Sequence, residues 1–267
     1  MEETLKAWIV AHRRKAPLRA AARLASRFLN AYHNTGNYDF ARNGEAFALR
    51  VFARHASPDP VIWDVGANYG QYASEAHALL PAARVISFEI LPAIAAKMRQ
   101  KLQGDWLEIR EMGLSDSVGT VDVVWNKQVE CTSGITPFQN EFFAHGQLET
   151  VSCPVSTVDQ LIADGLAAPG FLKIDVEGHE PAVLRGARAL LEGPQAPRMI
   201  QFEYGHTWIA SGGLLHQTRL FLEQAGYKVG RLYPDYVDFK IHGWADEHFR
   251  MGNMIAVKDD AMLKDLT

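Results

Sequence analysis

Cysteine is scarce in this chain of 267 residues, which contains only Cys131 and Cys153. Two cysteines cannot build the disulfide framework of a small secreted domain, and no Cys/His spacing resembles a zinc site. No apolar run approaches the ~20 residues of a membrane span, and the N-terminal residues lack the continuous apolar stretch of a secretory signal. We therefore expect a cytoplasmic protein with no resident metal.

The phosphate-binding signatures of two large enzyme classes are also missing. No G-x-x-x-x-G-K-[ST] string occurs, which excludes a P-loop. The run that begins at Gly66 carries Asn68 and Gln71 where a dinucleotide fingerprint requires its second and third glycines. Side chains at those positions disfavour the approach of a pyrophosphate, so a dinucleotide-dependent oxidoreductase is disfavoured.

Positive charge is concentrated at one end of the chain. Residues 1–35, the N-terminal arm, have a net charge of +5, whereas the remainder carries about −9. This remainder is too acidic for a nucleic-acid-binding body. The arm shows helical apolar spacing, broken near Pro17, and fits two arrangements: a basic amphipathic segment that contacts an anionic membrane or a partner, or a helical extension packed on the main domain. We favour the packed extension.

From residue 61 onward, strand and helix patterns alternate, which predicts an α/β fold with a doubly wound, mostly parallel sheet. Strands are predicted at 61–65, 84–89, 106–112, 170–175, 198–204, 227–233 and 251–257. Helices are predicted at 45–55, 70–80, 92–103, 157–164, 180–192 and 214–226.

Two further features complete the predicted organisation. Residues 1–56 form an N-terminal helical extension, and residues 57–267 form the main domain. An irregular insert at about 119–155 interrupts this domain, with extra strands at 121–125 and 150–155. The polar loop between them, 126–149, is long enough to serve as a lid or binding loop.

Acidic residues and glycines fall where the predicted strands end, at Asp64, Glu89, Gly113, Asp175 and Glu203. In open α/β sheets the ligand lies outside these carboxyl ends. The helix that starts at Gly70 directs a positive dipole end there, and we expect Gly66 and Gly70 to let a ligand approach the backbone closely. Glu89 can accept hydrogen bonds from both hydroxyls of a ribose, although an acidic strand end is often simply solvated. S-adenosylmethionine, a mononucleoside cofactor with a small charged tail, fits this pattern.

Five strings in the chain resemble the FkbM family of S-adenosylmethionine-dependent methyltransferases. They are D-V-G-A-N-Y-G (64–70), F-E (88–89), G-L-S-D (113–116), S-T-V-D (156–159) and L-K-I-D-V-E-G-H-E (172–180). The resemblance covers about residues 45–205. It implies a class I methyltransferase (Rossmann-like) fold of seven strands with an antiparallel last strand. It also implies methylation of a hydroxyl on a sugar, polyketide or similar metabolite.

The resemblance implies roles for particular residues. The first loop would hold the methionine part of the cofactor, Glu89 the ribose, and Asp175 would lie at the cofactor mouth. The loop residues concerned are Asp64, Gly66, Ala67, Asn68, Tyr69 and Gly70. Ser115 and Asp116 would lie near the adenine.

A hydroxyl acceptor must lose its proton as it attacks, which requires a base within hydrogen-bond reach. The candidates at the fourth and fifth strand ends are Asp175, Glu177, His179, Glu203 and His206. Either histidine alone is more often a surface or helix-capping residue. Asp175, Glu203 and His206 could also gather a divalent cation, an arrangement that we do not favour.

The acceptor remains the most open part of the sequence-based hypothesis. We expect a carbohydrate, such as a polysaccharide, a glycolipid or a glycosylated metabolite, and no nucleic acid. The alternatives are a polyketide or peptide acceptor, or a non-catalytic cofactor-binding scaffold. Membrane contact through the arm and homo-oligomer formation stay open. The following aromatic residues could form a platform for a sugar ring, although core or lid packing is the more ordinary role: Trp125, Phe138, Phe142, Phe143 and Trp208.

Overall fold

The computed structural model describes residues 2–129, 133–136, 147–240 and 242–267. Its strands are β1 (Val61–Val65), β2 (Arg84–Phe88), β3 (Leu107–Arg110), β4 (Gly113–Leu114), β5 (Gly119–Asn126), β6 (Leu148–Ser156), β7 (Phe171–Ile174), β8 (Met199–Tyr204), β9 (Lys228–Leu232), β10 (Val237–Asp238) and β11 (Gly252–Val257). Its α-helices are α1 (Glu2–His12), α2 (Ala16–Tyr32), α3 (Glu45–His55), α4 (Gln71–Leu79), α5 (Pro92–Lys101), α6 (Val158–Ala163), α7 (Glu180–Arg185), α8 (Arg188–Glu192), α9 (Thr207–Ser211), α10 (Leu215–Gln224) and α11 (Asp260–Leu266).

Eight strands form the main sheet, in the order β10-β9-β11-β8-β7-β1-β2-β3. The five adjacent strands β8, β7, β1, β2 and β3 of this sheet are parallel to one another. In contrast, β11 is antiparallel to both of its neighbours, β8 and β9. This confirms the seven predicted strands and the antiparallel last strand. The eighth strand, β10, was not predicted, because two residues are too short to show an alternating pattern.

The sheet is buried on both faces, so its central strands are mostly apolar, and the charged residues within β1 and β7, Asp64 and Lys173, are buried against each other. All four residues of β7 are buried, as are four of the five in β1. Two apolar cores lie on the two faces, and Trp63 belongs to one and Ile62 to the other. The strand order reverses between β1, which leads to β2 and β3, and β7, which leads to β8. This reversal places a crevice at the carboxyl ends of β1 and β7.

The insert forms a second sheet of three strands in the order β4-β6-β5. β5 and β6 pair antiparallel from Gly119 opposite Val155 to Asn126 opposite Leu148. Both predicted strands are confirmed, and each extends beyond its predicted bounds. Most of the predicted lid or binding loop lies outside the described residues, and so do Cys131, Phe138, Phe142 and Phe143.

The predicted helix at 180–192 is wrong in one respect, because the structure divides it into α7 and α8. The break occurs at Gly186, where an added Cβ would lie 2.0 Å from the carbonyl oxygen of Ser115. Beyond the break, the carboxylate of Asp159 accepts hydrogen bonds from the amides of Ala189 and Leu190 at 2.8 and 2.9 Å. The close approach of Ser115 and the cap from Asp159 of α6 therefore end one helix and begin the next.

The N-terminal arm forms two helices separated by a short break before Pro17. The favoured packing of this arm on the main domain is wrong, because α2 contains no buried residue and Trp8 of α1 is 52% exposed. In contrast, α3 buries Leu49, Val51 and Phe52, and the Phe52 ring meets Phe171 of β7 edge to face at 5.2 Å. The domain boundary at residue 56 stays a prediction, although α3 packs within the core. Among the described residues, no helix is long and apolar enough to cross a membrane.

Candidate active site

A cavity of about 610 Å³ lies at the carboxyl ends of the central strands, and we refer to it as the central cavity. Segments after β1, β2, β3, β7 and β8 line it, together with the insert and two residues from the outer parts of the chain. The lining residues are Tyr38, Val65, Gly66, Asn68, Phe88, Glu89, Ile90, Leu91, Ile94, Met112, Gly113, Leu114, Val123, Val129, Ser133, Gly134, Ile135, Asp175, Val176, Glu177, His179, Glu203, His206 and Met251.

Gly66 brings the first loop against the loop after β7. Its φ is +81°, and an added Cβ would lie 1.7 Å from the carbonyl oxygen of Asp175. No side chain fits in that space, so glycine is required by the packing of the two loops. The expectation that Gly66 also lets a ligand approach the backbone stays a prediction, and this residue does border the central cavity.

Asn68 is the other residue of the first loop that lines the central cavity. It has a left-handed backbone, with a φ of +48°, and its amide donates to Glu89 Oε2 at 2.8 Å. Its side-chain Oδ1 is buried and has no hydrogen-bond partner within the part of the chain that the structure describes. A buried acceptor without a partner is costly, which marks Asn68 Oδ1 as a contact point for a bound donor group.

The remaining predicted loop residues do not line the central cavity. Ala67 is buried in the core, and Tyr69 contacts Lys97. Gly70 faces the side chains of Met98 and Leu102, where an added Cβ would clash at 2.5–2.7 Å. The amides of Gly66 and Ala67 donate to the Phe88 carbonyl oxygen, and that of Gly70 donates to the Ala67 carbonyl oxygen. These backbone amides therefore stabilise the conformation of the first loop itself. A cofactor role for Ala67, Tyr69 and Gly70 stays a prediction.

Asp64 also lies beneath the cavity and is fully buried. Lys173 Nζ lies 3.0 Å from Asp64 Oδ1 and 3.6 Å from Asp175 Oδ2, and it donates to the Gly66 carbonyl oxygen. Burial alone would lower the pKa of Lys173, but the charges of Asp64, Asp175 and Glu45 raise it above its ordinary value. Lys173 is thus a buried cation that joins the β1 and β7 loops, and the removal of one partner would leave an uncompensated charge.

Glu89 connects the ends of β1 and β2. Its two carboxylate oxygens accept hydrogen bonds from the amides of Asn68 and Leu91 at 2.8 and 2.9 Å. Burial raises the pKa of Glu89 above its ordinary value, and these two hydrogen bonds offset only part of that rise. The carboxylate is therefore fixed in place at the cavity wall, and each oxygen keeps a lone pair for a ligand.

An apolar part of the cavity wall lies on the β2 and β3 side of the sheet. It is formed by Ile90, Ile94, Met112, Leu114 and Val123. The sequence-based hypothesis missed these residues, although Ile90 directly follows Glu89 and Leu114 belongs to the G-L-S-D string. Apolar residues near a motif do not differ in pattern from ordinary core residues.

Ser115 and Asp116, predicted to lie near the adenine, do not line the central cavity. The buried Ser115 Oγ lies 2.9 Å from His179 Nε2, and Asp116 forms an ion pair with Arg185 at 2.7 Å. Asp116 instead borders a neighbouring cavity of about 340 Å³. Their assignment to the cofactor stays a prediction, which the lining of the central cavity does not support.

Three carboxylates, the acidic group of Asp175, Glu177 and Glu203, line the cavity on the β7 and β8 side. Glu203 Oε2 is shielded from solvent and has no hydrogen-bond partner among the described residues. Burial, and then the charges of Asp175 and Glu177, raise the pKa of Glu203 well above its ordinary value. Burial, and then the charges of Asp175 and Glu180, raise the pKa of Glu177 well above its ordinary value. Carboxyls with raised pKa values are suited to accept a proton near neutral pH.

Two histidines complete this side of the cavity. His206 follows β8 and is partly buried. His179 precedes α7, and burial lowers its pKa, so the imidazole is neutral near pH 7. His179 lines both the central cavity and the neighbouring cavity, so it forms part of the wall between them. Its Nε2 already contacts Ser115.

Glu180 is a structural member of the same neighbourhood. It is fully buried, and its carboxylate accepts hydrogen bonds from the amides of Val176 and Gly178. Burial raises the pKa of Glu180 to about 7. Ligand atoms of Asp175, Glu180 and Glu203 lie within 4.8 Å of one another, a group from which His206 is absent in the described part of the chain. Because backbone amides occupy Glu180, this group carries no metal assignment.

The predicted aromatic platform is not supported where the structure can test it. Trp208 is fully buried and donates through its indole N–H to the Glu203 carbonyl oxygen. Trp125 lies outside the cavity lining, where Lys127 Nζ approaches its ring at 5.1 Å. Instead, Tyr38 contributes an aromatic ring at the cavity mouth, beside Met251, whose Sδ accepts a hydrogen bond from the Tyr38 hydroxyl at 3.1 Å. The sequence-based hypothesis missed both residues, because neither belongs to a recognisable motif.

The residues of the central cavity fit S-adenosylmethionine. Apolar side chains on the β2 and β3 side suit a flat base, and the fixed Glu89 carboxylate suits a ribose. Asn68 Oδ1 offers an unused acceptor to an ammonium or hydroxyl donor. The acidic group on the β7 side favours the positive charge of a sulfonium.

Comparison with known proteins agrees with this fit. A family profile described as "Methyltransferase FkbM domain" matches residues 64–229. The hexuronic acid methyltransferase AglP of Haloferax volcanii is 29% identical over 153 residues, which are 56% of this chain and 59% of AglP, less than two thirds of its length.

Two other relatives are similar to the chain at the same level. The 31-O-demethyl-FK506 methyltransferase FkbM of Streptomyces tacrolimicus is 29% identical over 64% of this chain and 75% of that enzyme. The 2-O-methyltransferase NoeI of Sinorhizobium fredii is 28% identical over 59% of this chain and 68% of that enzyme. Since the family profile covers well over half of the residues, the chain belongs to the FkbM family of S-adenosylmethionine-dependent methyltransferases.

Proposed function

We propose that this chain transfers a methyl group from S-adenosylmethionine to a hydroxyl of a carbohydrate acceptor in the cytoplasm. One observation carries the proposal. A single cavity joins Gly66, Asn68 and Glu89, which suit the cofactor, to the carboxylates and histidines that can activate a hydroxyl. In this proposal, the cofactor and the acceptor would lie next to each other at neighbouring strand ends.

The bound cofactor supplies an electrophilic methyl group, and the protein must position the acceptor oxygen and remove its proton. Glu203 is our first candidate for the base, because its shielded Oε2 lacks a partner among the described residues and its pKa is raised. His206, from the same strand end, is the second candidate. Asp175, Glu177 and His179 form the remaining wall and would orient the acceptor.

Two observations support a carbohydrate acceptor. The cavity wall near the proposed base is rich in carboxylates and imidazoles, which can hydrogen-bond to several hydroxyls of one sugar. The Tyr38 ring at the mouth offers an apolar face of the kind that packs against a sugar ring. Among the relatives, AglP supports this assignment, since it is named for a hexuronic acid, whereas NoeI, named for 2-O-methylation, supports only methylation of an oxygen.

The cofactor contacts can be proposed residue by residue from the cavity lining. Gly66, Asn68 and Asp175 would border the methionine part, Glu89 would bind the ribose hydroxyls, and Ile90 would contact the base. Asp64 would act indirectly, since it holds Lys173 beneath the loop.

A turnover assay with matched variants tests the proposal. The enzyme would be incubated with S-adenosylmethionine and uronic-acid oligosaccharides, chitooligosaccharides or a macrolide, and the methylated products would be detected by mass spectrometry. We expect methylation of a sugar, and we expect Glu203→Gln to reduce kcat by about 100-fold or more without loss of S-adenosylhomocysteine binding.

Glu192→Gln is the matched control, because Glu192 is exposed and forms an ion pair with Arg188 on α8. Full activity of Glu203→Gln together with loss in His206→Ala would assign the base to His206. Tight S-adenosylhomocysteine binding without turnover of any hydroxyl acceptor would contradict the proposed function and favour a cofactor-binding scaffold.

A further inference from the structure

The helix α2 carries two distinct faces along its 17 residues. Arg19, Arg23 and Arg27 repeat every four residues and therefore form one stripe along the helix. Leu24, Phe28 and Tyr32 repeat with the same spacing and form a second stripe, offset by about 100° from the first. Such a division between a cationic face and an apolar face is typical of helices that lie in a membrane interface.

The apolar stripe has no cover within the part of the chain that the structure describes. Leu24, Phe28 and Tyr32 are 69%, 66% and 66% exposed, and Trp8 and Leu5 of α1 are exposed as well. A stable water-soluble protein rarely exposes so many large apolar side chains on neighbouring elements, and a contiguous patch of this kind marks an interaction site.

The charge of the arm identifies the occupant. Residues 4–38 contain no Asp or Glu but seven Lys and Arg. None of the ion pairs found among the described residues involves Arg19, Arg23 or Arg27. A second copy of α2 would bring like charges together without an acidic partner, whereas anionic headgroups neutralise all three arginines while Phe28 and Leu24 enter the acyl boundary.

We propose that the N-terminal arm docks on an anionic lipid surface through α2, with the helix axis parallel to the membrane plane. The arm is attached to the body beside the central cavity. Arg231 Nη2 donates to the His33 carbonyl oxygen at 3.1 Å, and the Gly36 amide donates to the Met251 carbonyl oxygen at 3.3 Å.

The same attachment reaches the cavity wall, because Tyr38 and Met251 both line it. A docked α2 would therefore hold the cavity mouth near the lipid headgroups. Resting on the function proposed above, this geometry assigns the acceptor to the lipid-linked glycans, whose sugars project from a membrane. Docking itself depends only on the arm.

Vesicle binding of the full-length protein tests the docking. Vesicles of phosphatidylcholine alone and of phosphatidylcholine with about 30% phosphatidylglycerol would be sedimented with the protein at low and high salt. We expect binding at least tenfold tighter to the phosphatidylglycerol vesicles, weakened by salt. We expect both Arg19→Glu/Arg23→Glu/Arg27→Glu and Leu24→Ala/Phe28→Ala to lose at least tenfold of that affinity.

The matched control is Arg50→Glu/Lys101→Glu/Lys228→Glu, which changes the net charge equally at exposed positions of the body and should bind within about threefold of the wild type. The docking proposal is overturned if the wild type ignores phosphatidylglycerol, if the control loses as much affinity as the arm variants, or if the arm variants only convert a dimer into a monomer in sedimentation velocity. Calorimetry with S-adenosylhomocysteine and turnover of a soluble sugar separate the two proposals. Intact turnover without vesicle binding removes the docking alone, and vesicle binding without turnover removes the proposed function alone.

Discussion

At the scale of single residues, Gly66 shows how a motif position can be recognised for one reason and required for another. The sequence identifies it within D-V-G-A-N-Y-G and suggests close approach by a ligand. The structure shows that its missing side chain lets two strand-end loops touch, because an added Cβ would meet the Asp175 carbonyl oxygen at 1.7 Å. The requirement arises between residues more than a hundred positions apart, which no local pattern reports.

We expect Gly66→Ala to lower the free energy of unfolding by more than about 3 kcal/mol and to weaken S-adenosylhomocysteine binding at least tenfold. The two causes are a positive φ and a backbone clash. Gly165→Ala is the matched control, because Gly165 has a φ of +92° but nothing within 4 Å of its added Cβ. That control should cost only about 1–2 kcal/mol. Urea unfolding and calorimetry would measure both, and equal losses in the two variants would contradict the clash.

The same scale shows why the predicted cofactor residues separate into two groups. Asn68 and Glu89 line the central cavity, whereas Asp64, Ala67, Tyr69 and Gly70 do not. A strand followed by a glycine turn predicts that a ligand lies nearby. It does not predict which side chains point to the ligand, because the loop leaves regular strand geometry after Val65 and the alternation of faces ends there.

At the scale of elements, the sequence predicted strands better than it predicted helices. Mostly apolar segments such as Val61–Val65 and Phe171–Ile174 identify buried parallel strands, although each contains one charged residue. The continuous helix predicted over 180–192 failed because its break depends on tertiary contacts of Gly186 and Asp159. These contacts also give the S-T-V-D string a structural explanation, since Thr157 caps α6 and Asp159 caps α8.

We therefore expect Asp159→Ala to lower the free energy of unfolding by about 1–2 kcal/mol, the typical cost of a lost helix cap. Its carboxylate accepts from two amides at the start of α8 and lies outside the central cavity, so the affinity for S-adenosylhomocysteine should stay unchanged. Asp105→Ala, at an exposed turn position, is the control and should change stability by less than about 0.5 kcal/mol. Loss of cofactor affinity with unchanged stability would contradict a capping role.

At the scale of the whole molecule, charge is divided among three places: a basic arm, an acidic body and the acidic group inside the central cavity. The acidic group inside the central cavity was only partly predictable from the sequence. The sequence located carboxylates at strand ends, but the raised pKa values of Glu177 and Glu203 result from burial and from mutual repulsion in the folded chain.

This arrangement predicts that cofactor affinity depends on pH. Below their raised pKa values, Glu177 and Glu203 are neutral, and they become charged as the pH increases. S-adenosylmethionine carries a positive sulfonium that S-adenosylhomocysteine lacks, so its affinity should rise with pH while that of the product changes little. As the pH rises through the raised pKa values of these two carboxyls, we expect the ratio of the two dissociation constants to change by about tenfold, or about 1.4 kcal/mol.

Calorimetric titrations of both ligands at a series of pH values would measure the effect. The double variant Glu177→Gln/Glu203→Gln should remove most of it, since no carboxyl then titrates at these two positions. A ratio that stays constant in the wild type would contradict the electrostatic interpretation of the acidic group.

The reversed direction of β11 has a consequence for how acceptor preference can change. Because β11 runs against its neighbours, its first residues rather than its last lie near the cavity, where Met251 meets Tyr38 from the opposite end of the chain. In the proposed assignment, the donor side would be built between Gly66 and Leu114, whereas residues from the two outer segments of the chain, Tyr38 and Met251, line the mouth. We therefore expect that redesign of those outer segments would change acceptor specificity while the methyl-donor half stays intact.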